Sequence, residues 1–153
     1  MKPLLIISHT PSQNTNALAK SACDGATTYA EGRPVHCYTP LQVESETLLE
    51  ASGVILGTTE NIGAMAGLTK DMFDRCYYDW LDQTMHLPIA VYVRAGQDGT
   101  ATIRQLTGII SAMKWQLIQP VSLLKGTWQD SFCDEVHMLA GTMAAGLDAG
   151  LYG

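Results

Sequence analysis

The sequence predicts a doubly wound α/β domain, a parallel sheet with helices on both faces, and three observations predict it. Short continuous apolar runs alternate along the chain with stretches whose apolar residues recur at helical spacing. The runs show little polar alternation, as expected of strands covered on both sides. A chain of 153 residues, 46% hydrophobic and 16% charged, suits a single domain with a sizeable core rather than a disordered or low-complexity chain.

Residues 3–8 (PLLIIS) form the first apolar run, and residues 16–29 follow with Leu18, Ala22, Cys23, Ala26 and Tyr29 at helical spacing. Residues 34–38 are the weakest strand, and residues 44–51 have room only for a short helix. The second fully apolar strand is 53–57 (GVILG); residues 67–81 then place Leu68, Met72, Phe73, Cys76 and Trp80 on one helical face. Residues 87–93 are a buried strand begun by Pro88, residues 100–115 a helix with Ile103, Leu106, Ile110 and Met113 inward, and residues 116–124 a fifth strand. Residues 130–148 close the chain as a helix carrying Phe132, Val136, Leu139, Met143 and Leu147. Gly108, Gly141 and Gly146 each cost a helix about 1 kcal/mol relative to alanine, tolerable where helices pack closely on a sheet.

Several function classes fall away. Nine Lys+Arg against fifteen Asp+Glu give a formal charge of −6, with no cationic cluster of the kind nucleic-acid binding needs. No apolar run approaches the ~18 residues of a membrane span. The five apolar residues after Met1–Lys2 are too few for a signal-peptide core, so a cytoplasmic protein is expected. Cys23, Cys37, Cys76 and Cys133 lie far apart, which favours free buried thiols over a disulfide framework and speaks against zinc. His36 and Cys37 are neighbours on a strand and point to opposite faces, so they cannot grip one metal. No metal ligands and no catalytic acid or base are assigned.

In folds of this class ligands bind beyond the C-terminal strand ends, where the strand order reverses, so the loops there carry the function. The first offers Ser8, Thr10, Ser12 and Thr15 hydroxyls with Gln13, Asn14 and Asn16 amides, and neither Lys nor Arg. A helix N-terminus holds phosphate with neutral donors, whereas plain N-capping needs one residue, Asn14 or Thr15. The G-x-G-x-x-G and G-x-x-x-x-G-K-[ST] patterns are both lacking. The second loop runs through Thr58, Thr59, Glu60, Asn61, Ile62 and Gly63 to Gly67, and the third through Ala95, Gly96, Gln97, Asp98 and Gly99. Small residues there let backbone approach a ligand closely. Met65 reads as core.

Ser8, Thr10, Asn14 and Thr15, ahead of Leu18 and Ala19, resemble the phosphate loop of flavodoxin-like proteins, with Gln13 where that family commonly has glycine. The second loop with the helix start LTKDMFDR resembles flavodoxin-like NAD(P)H:quinone oxidoreductases and NADPH-dependent FMN reductases. The resemblance implies a three-layer flavodoxin-like sandwich of five parallel strands in order 2-1-3-4-5. It implies FMN, its phosphate on the first loop and its ring between the second and third. Neither of those two loops contains Phe, Tyr or Trp, which leaves a ring face open to a nicotinamide or quinone and favours an NAD(P)H-dependent reductase over an electron carrier serving a redox protein. A flavin-free binding module is the third reading. Glu60 and Asp98 near the ring would disfavour its anionic reduced form, while Arg94 either neutralises Asp98 or touches the ligand. Tyr77 and Tyr78 cannot both point inward, which makes one of them a candidate homodimer contact.

Overall fold

The computed structural model describes residues 1–152. Strand β1 (Leu4–Ser8) leads through helix α1 (Gln13–Tyr29) to β2 (Val35–Tyr38), a 3-10 turn (Pro40–Gln42) and the short α2 (Ser45–Leu49). Strand β3 (Gly53–Asn61), β4 (Ala64–Met65), α3 (Gly67–Trp80), β5 (Pro88–Ala95) and α4 (Thr100–Ala112) follow. The chain closes with β6 (Gln116–Leu117), β7 (Ser122–Lys125) and α5 (Ser131–Asp148).

The sheet has the order β2-β1-β3-β5, with β6 and β7 lying in succession along the far side of β5. These last two are one interrupted strand: Pro88 faces Gln116 whereas Tyr92 faces Ser122, so two extra residues are accommodated between them. Pro120 stands in that gap and has no N–H for the ladder. Counted as one, the broken strand completes the expected order 2-1-3-4-5, all parallel.

Alternation along the strands builds two cores. Leu5, Ile7, Val54, Leu56, Ile89, Val91 and Val93 face α3 and α4, where Met72, Phe73, Trp80, Leu106 and Ile110 cover them. Leu4, Ile6, Ile55, Ala90 and Tyr92 face α1 and α5, meeting Leu18, Ala22, Val136, Leu139 and Met143. Both α1 and α5 approach closely because a Cβ on Gly25 would lie 2.2 Å from the His137 carbonyl oxygen. Gly141 and Gly146 lie beneath the Tyr29 and Tyr152 rings rather than against the sheet; Gly108 faces open space, and nothing in the structure explains it.

Three expectations need correction. Residues 58–61, read as loop, continue β3: their β-branched threonines extend the strand, and β4 pairs back antiparallel across Ile62 and Gly63, with φ of 52° and 75°. The cap of α1 is Ser12, and the helix begins at Gln13, ahead of the expected start. Finally, Cys23 and Cys37 are joined in a disulfide, leaving only Cys76 and Cys133 free. The β1–α1–β2 crossover folds α1 back over the sheet edge, so two residues 14 apart in sequence meet.

Candidate functional site at the strand ends

From β1 the chain turns to one side, to β2, and from β3 to the other, to β5, so the loops leaving β1 and β3 diverge at the C-terminal edge. The ends lie in one row: Ser8 pairs with Gly57, and Gly57 with Tyr92. The His9 N–H donates to the Gly57 carbonyl at 2.9 Å and fastens the first loop to β3.

Tyr92 makes the floor of this row. Its ring crosses Gly57, where a Cβ would stand 2.1 Å from Cζ, and its hydroxyl lies 3.0 Å from Ser8 Oγ. Burial pushes the phenol up to about 12, so the hydroxyl keeps its proton. Ser8 is thus engaged from below. No pattern in the sequence singles out Tyr92, because a tyrosine inside an apolar strand reads as packing.

Above the floor stands the N-terminus of α1. Ser12 Oγ accepts from the Thr15 N–H at 3.2 Å, and the Ser12 N–H donates to Thr15 Oγ1 at 2.9 Å, a reciprocal cap that occupies both hydroxyls. Among the described residues the Gln13 and Asn14 N–H groups and the Thr10 hydroxyl have no protein partner, and no acidic side chain sits in the first turn. Gln13, Asn14 and Asn16 are exposed, and Thr10 is half-buried. Burial pulls the half-buried His9 imidazole down from its ordinary range.

The other two loops are locked to each other. Glu60 accepts from the Gly99 N–H (2.9 Å) and from Thr102 Oγ1 (2.9 Å), binding the β3–β4 hairpin to the start of α4. Those bonds, led by the Gly99 N–H, hold its carboxyl below the usual range. Its ionised carboxylate faces the N-terminus of α4. Thr58 Oγ1 is buried against Thr69 Oγ1 at 2.7 Å, and Thr59 Oγ1 donates to Asn61 Oδ1 at 2.8 Å. The Met65 N–H donates to Gln105 Oε1 at 3.0 Å, a support the sequence does not signal, while Met65 itself is core as expected.

Open to solvent remain Asn61, Ile62 and Gly63 at the hairpin tip and Gly96, Gln97 and Asp98 on the third loop. Ala95 and Gly99 are buried, and Gly99 caps α4 with a φ of 81°. Asp98 accepts from Thr100 Oγ1 at 2.8 Å. Arg94 forms no ion pair with Asp98: its guanidinium donates to the Ala95 and Leu124 carbonyls and lies 5.1 Å from the Phe132 ring centroid. Tyr78 is 84% exposed, with Tyr77 edge-on beside it. Among the described residues no three His, Cys, Asp or Glu side chains converge as metal ligands, and no helix is long and apolar enough to cross a membrane.

No protein-family model and no curated protein sequence matches the chain. Solved structures do. A flavodoxin from the domain Archaea superposes with a TM-score of 0.79 at 15% identity, covering 95% of this chain and 99% of that one. The flavodoxin, WrbA-like protein from Agrobacterium tumefaciens gives 0.76 at 12% identity over 97% and 99%. The rubredoxin oxygen:oxidoreductase from Desulfovibrio gigas gives 0.79 at 14% identity, covering 99% of this chain and 38% of that one. With the strand order, two helical layers and divergent loops already described, these matches establish that the chain has the flavodoxin-like fold.

Proposed function

We propose that the chain is an FMN-binding oxidoreductase of the cytoplasm that passes reducing equivalents from NAD(P)H to a quinone or similar small acceptor. The observation that carries the reading is the start of α1: two unpartnered N–H groups and the Thr10 hydroxyl, with no carboxylate in that turn, beside the loops of the switch point. That donor set fits a phosphate ester, which a helix dipole and neutral donors hold without cations. Every buried side-chain nitrogen and oxygen among the described residues already has a partner, so the phosphate would be held by the exposed helix start and not by a buried polar pocket.

In this assignment Thr10, Gln13, Asn14 and Asn16 hold the phosphate end. Asn61, Ile62, Gly63, Gly96, Gln97 and Asp98 flank the ring, while Ser8, Thr15, Thr58, Thr59, Glu60, Ala95 and Gly99 hold the walls in place. When bound, FMN supplies the two-electron chemistry, and the protein positions and tunes it. No aromatic side chain from the hairpin tip or the third loop covers a ring face, which favours a reductase that stacks its substrate there over a carrier.

Titration of the protein with FMN and with riboflavin tests the phosphate assignment. Thr10→Ala removes one hydrogen bond to a charged acceptor, about 1.5–3 kcal/mol, so FMN should weaken roughly ten- to hundredfold while riboflavin barely changes. Equal losses for the two ligands would refute it. Steady-state NAD(P)H oxidation with a quinone then separates the reductase from a carrier.

A further inference from the structure

Strand β2 is the weakest-held piece of the sheet. Four residues long, it pairs only with β1, through Leu4–Val35 to Ile7–Tyr38, and its other edge is unpaired. Its contribution to the cores is limited to Val35 and Tyr38, each partly buried and on opposite layers. Besides the packing of Val35 against the α1–α5 core, the Cys23–Cys37 disulfide ties it covalently to α1. Helix α1 is held independently, by Leu18, Ala22 and Ala26 in the core and by the close approach of Gly25 to α5. Opening the bond therefore removes the covalent tether of β2, leaving the strand to its ladder with β1 and the packing of Val35 and Tyr38, while α1 stays in place.

The bond also borders the proposed site. Cys23, Cys37 and Tyr38 line a groove of about 190 Å³ together with Thr10 and Asn16 at the α1 N-terminus. Cys37 is exposed and Cys23 half-buried, and both border the open groove. By contrast, Cys76 is fully buried, and burial pushes its thiol up, away from reactivity.

We propose that Cys23–Cys37 is a reversible dithiol/disulfide centre whose redox state sets how firmly β2 and the groove wall beside the α1 N-terminus are held. The reductant is a dithiol. Its thiolate attacks Cys37 Sγ, the S–S bond breaks, and Cys23 leaves as a thiolate that takes up a proton. The reductant's second thiol then attacks the mixed disulfide, forming the reductant's own disulfide and freeing Cys37 as a thiol. Two electrons and two protons pass to the protein, and a small-molecule disulfide runs the exchange backwards. In a reducing compartment such a bond is transient and serves sensing rather than structure.

The test uses the intact protein without flavin, so its outcome is independent of the FMN assignment. The chain is equilibrated in dithiothreitol buffers of graded redox poise and trapped by alkylation. Peptide mass spectrometry then reads Cys23 and Cys37 apart from Cys133. Amide hydrogen exchange is measured on the same samples. Expected is joint two-electron conversion of Cys23 and Cys37 with circular dichroism unchanged. Exchange of the β2 amides should speed at least tenfold on reduction while the α1 amides hold, and Cys23→Ser should exchange like the reduced protein in every buffer. Conversion only with loss of the folded signal would overturn the proposal. So would β2 exchange that is the same with the bond open and closed, or absence of the bond under oxidising conditions.

Discussion

Gly57→Ala probes the floor of the site directly. The added methyl would stand 2.1 Å from Tyr92 Cζ, 2.3 Å from its hydroxyl and 2.5 Å from Cε2, against ordinary contacts of 3.4–4 Å. The ring must retreat by more than an ångström, yet it is 3% exposed and packed among the α1 and α5 side chains. Overpacking of a close-packed core costs about 1–3 kcal/mol, and loss of the Ser8–Tyr92 hydrogen bond adds about 1 kcal/mol. Destabilisation of about 2–4 kcal/mol should appear as a lower urea midpoint at constant slope. The decisive measurement is the double-mutant cycle with Tyr92→Ala. Without the ring the three atoms nearest the methyl are gone, so Gly57→Ala should cost little in that background, leaving a coupling of about 2–4 kcal/mol. Additive losses would show that the glycine is needed for some other reason and that Tyr92 does not form this floor.

Two further outcomes are expected. Ser12→Ala removes the α1 cap and should cost about 1 kcal/mol, read as a fall in Tm of about 2–4 °C; an unchanged Tm would mean that the reciprocal bond with Thr15 contributes nothing. The carboxyls of Glu60 and Asp148 are both held below their ordinary range, Glu60 by the Gly99 N–H and Asp148 first by the Glu31 N–H and then by Arg33. Groups lowered on folding stabilise above their unfolded pKa and lose that contribution as pH falls through the folded value. Stability should therefore decline from about pH 4.5 downward, and Glu60→Gln should flatten that limb; an acid limb unchanged by the substitution would remove Glu60 as its source.

The layered architecture was legible because strands buried on both faces leave unbroken apolar runs, and 53–57 and 87–93 stand out among polar neighbours. Residues 58–61 were not, because Thr58, Thr59, Glu60 and Asn61 carry loop-like polarity, and it is pairing that makes them strand, of Thr58 and Thr59 with β5 and of Glu60 and Asn61 with β4. The interrupted fifth strand hid its break, since the register slip depends on β5. The first loop stood out by its density of small polar residues. How those residues divide the work was not legible. Hydroxyls that look interchangeable in sequence separate in space: Thr15 faces its own cap, Ser8 faces Tyr92 from below, and Thr10 has no partner. The disulfide was invisible because its partners meet only through the crossover.

The tip of the β3–β4 hairpin raises the question of why an isoleucine is there at all. Ile62 is fully exposed and has a φ of 52°, a left-handed conformation that costs an L-residue about 1–2 kcal/mol and suits β-branched side chains least. The two-residue turn it makes with Gly63 is the kind that prefers Asn-Gly, so Ile62→Asn should relieve part of the strain and raise stability by about 1 kcal/mol. Retaining isoleucine against that gradient makes sense if its side chain is covered when the protein works, and the site assigned above puts a flavin ring beside it. Burying such a side chain fully contributes about 1.5–3 kcal/mol, so even half-coverage is worth several-fold in affinity. The same substitution should then raise Tm and weaken FMN, two effects of opposite sign that a general change in folding cannot produce together. Calorimetry of unfolding and a flavin titration on one preparation read both. If Ile62→Asn raised Tm and left FMN binding untouched, the isoleucine would not touch the ring, and that wall of the slot would have to be assigned to other residues.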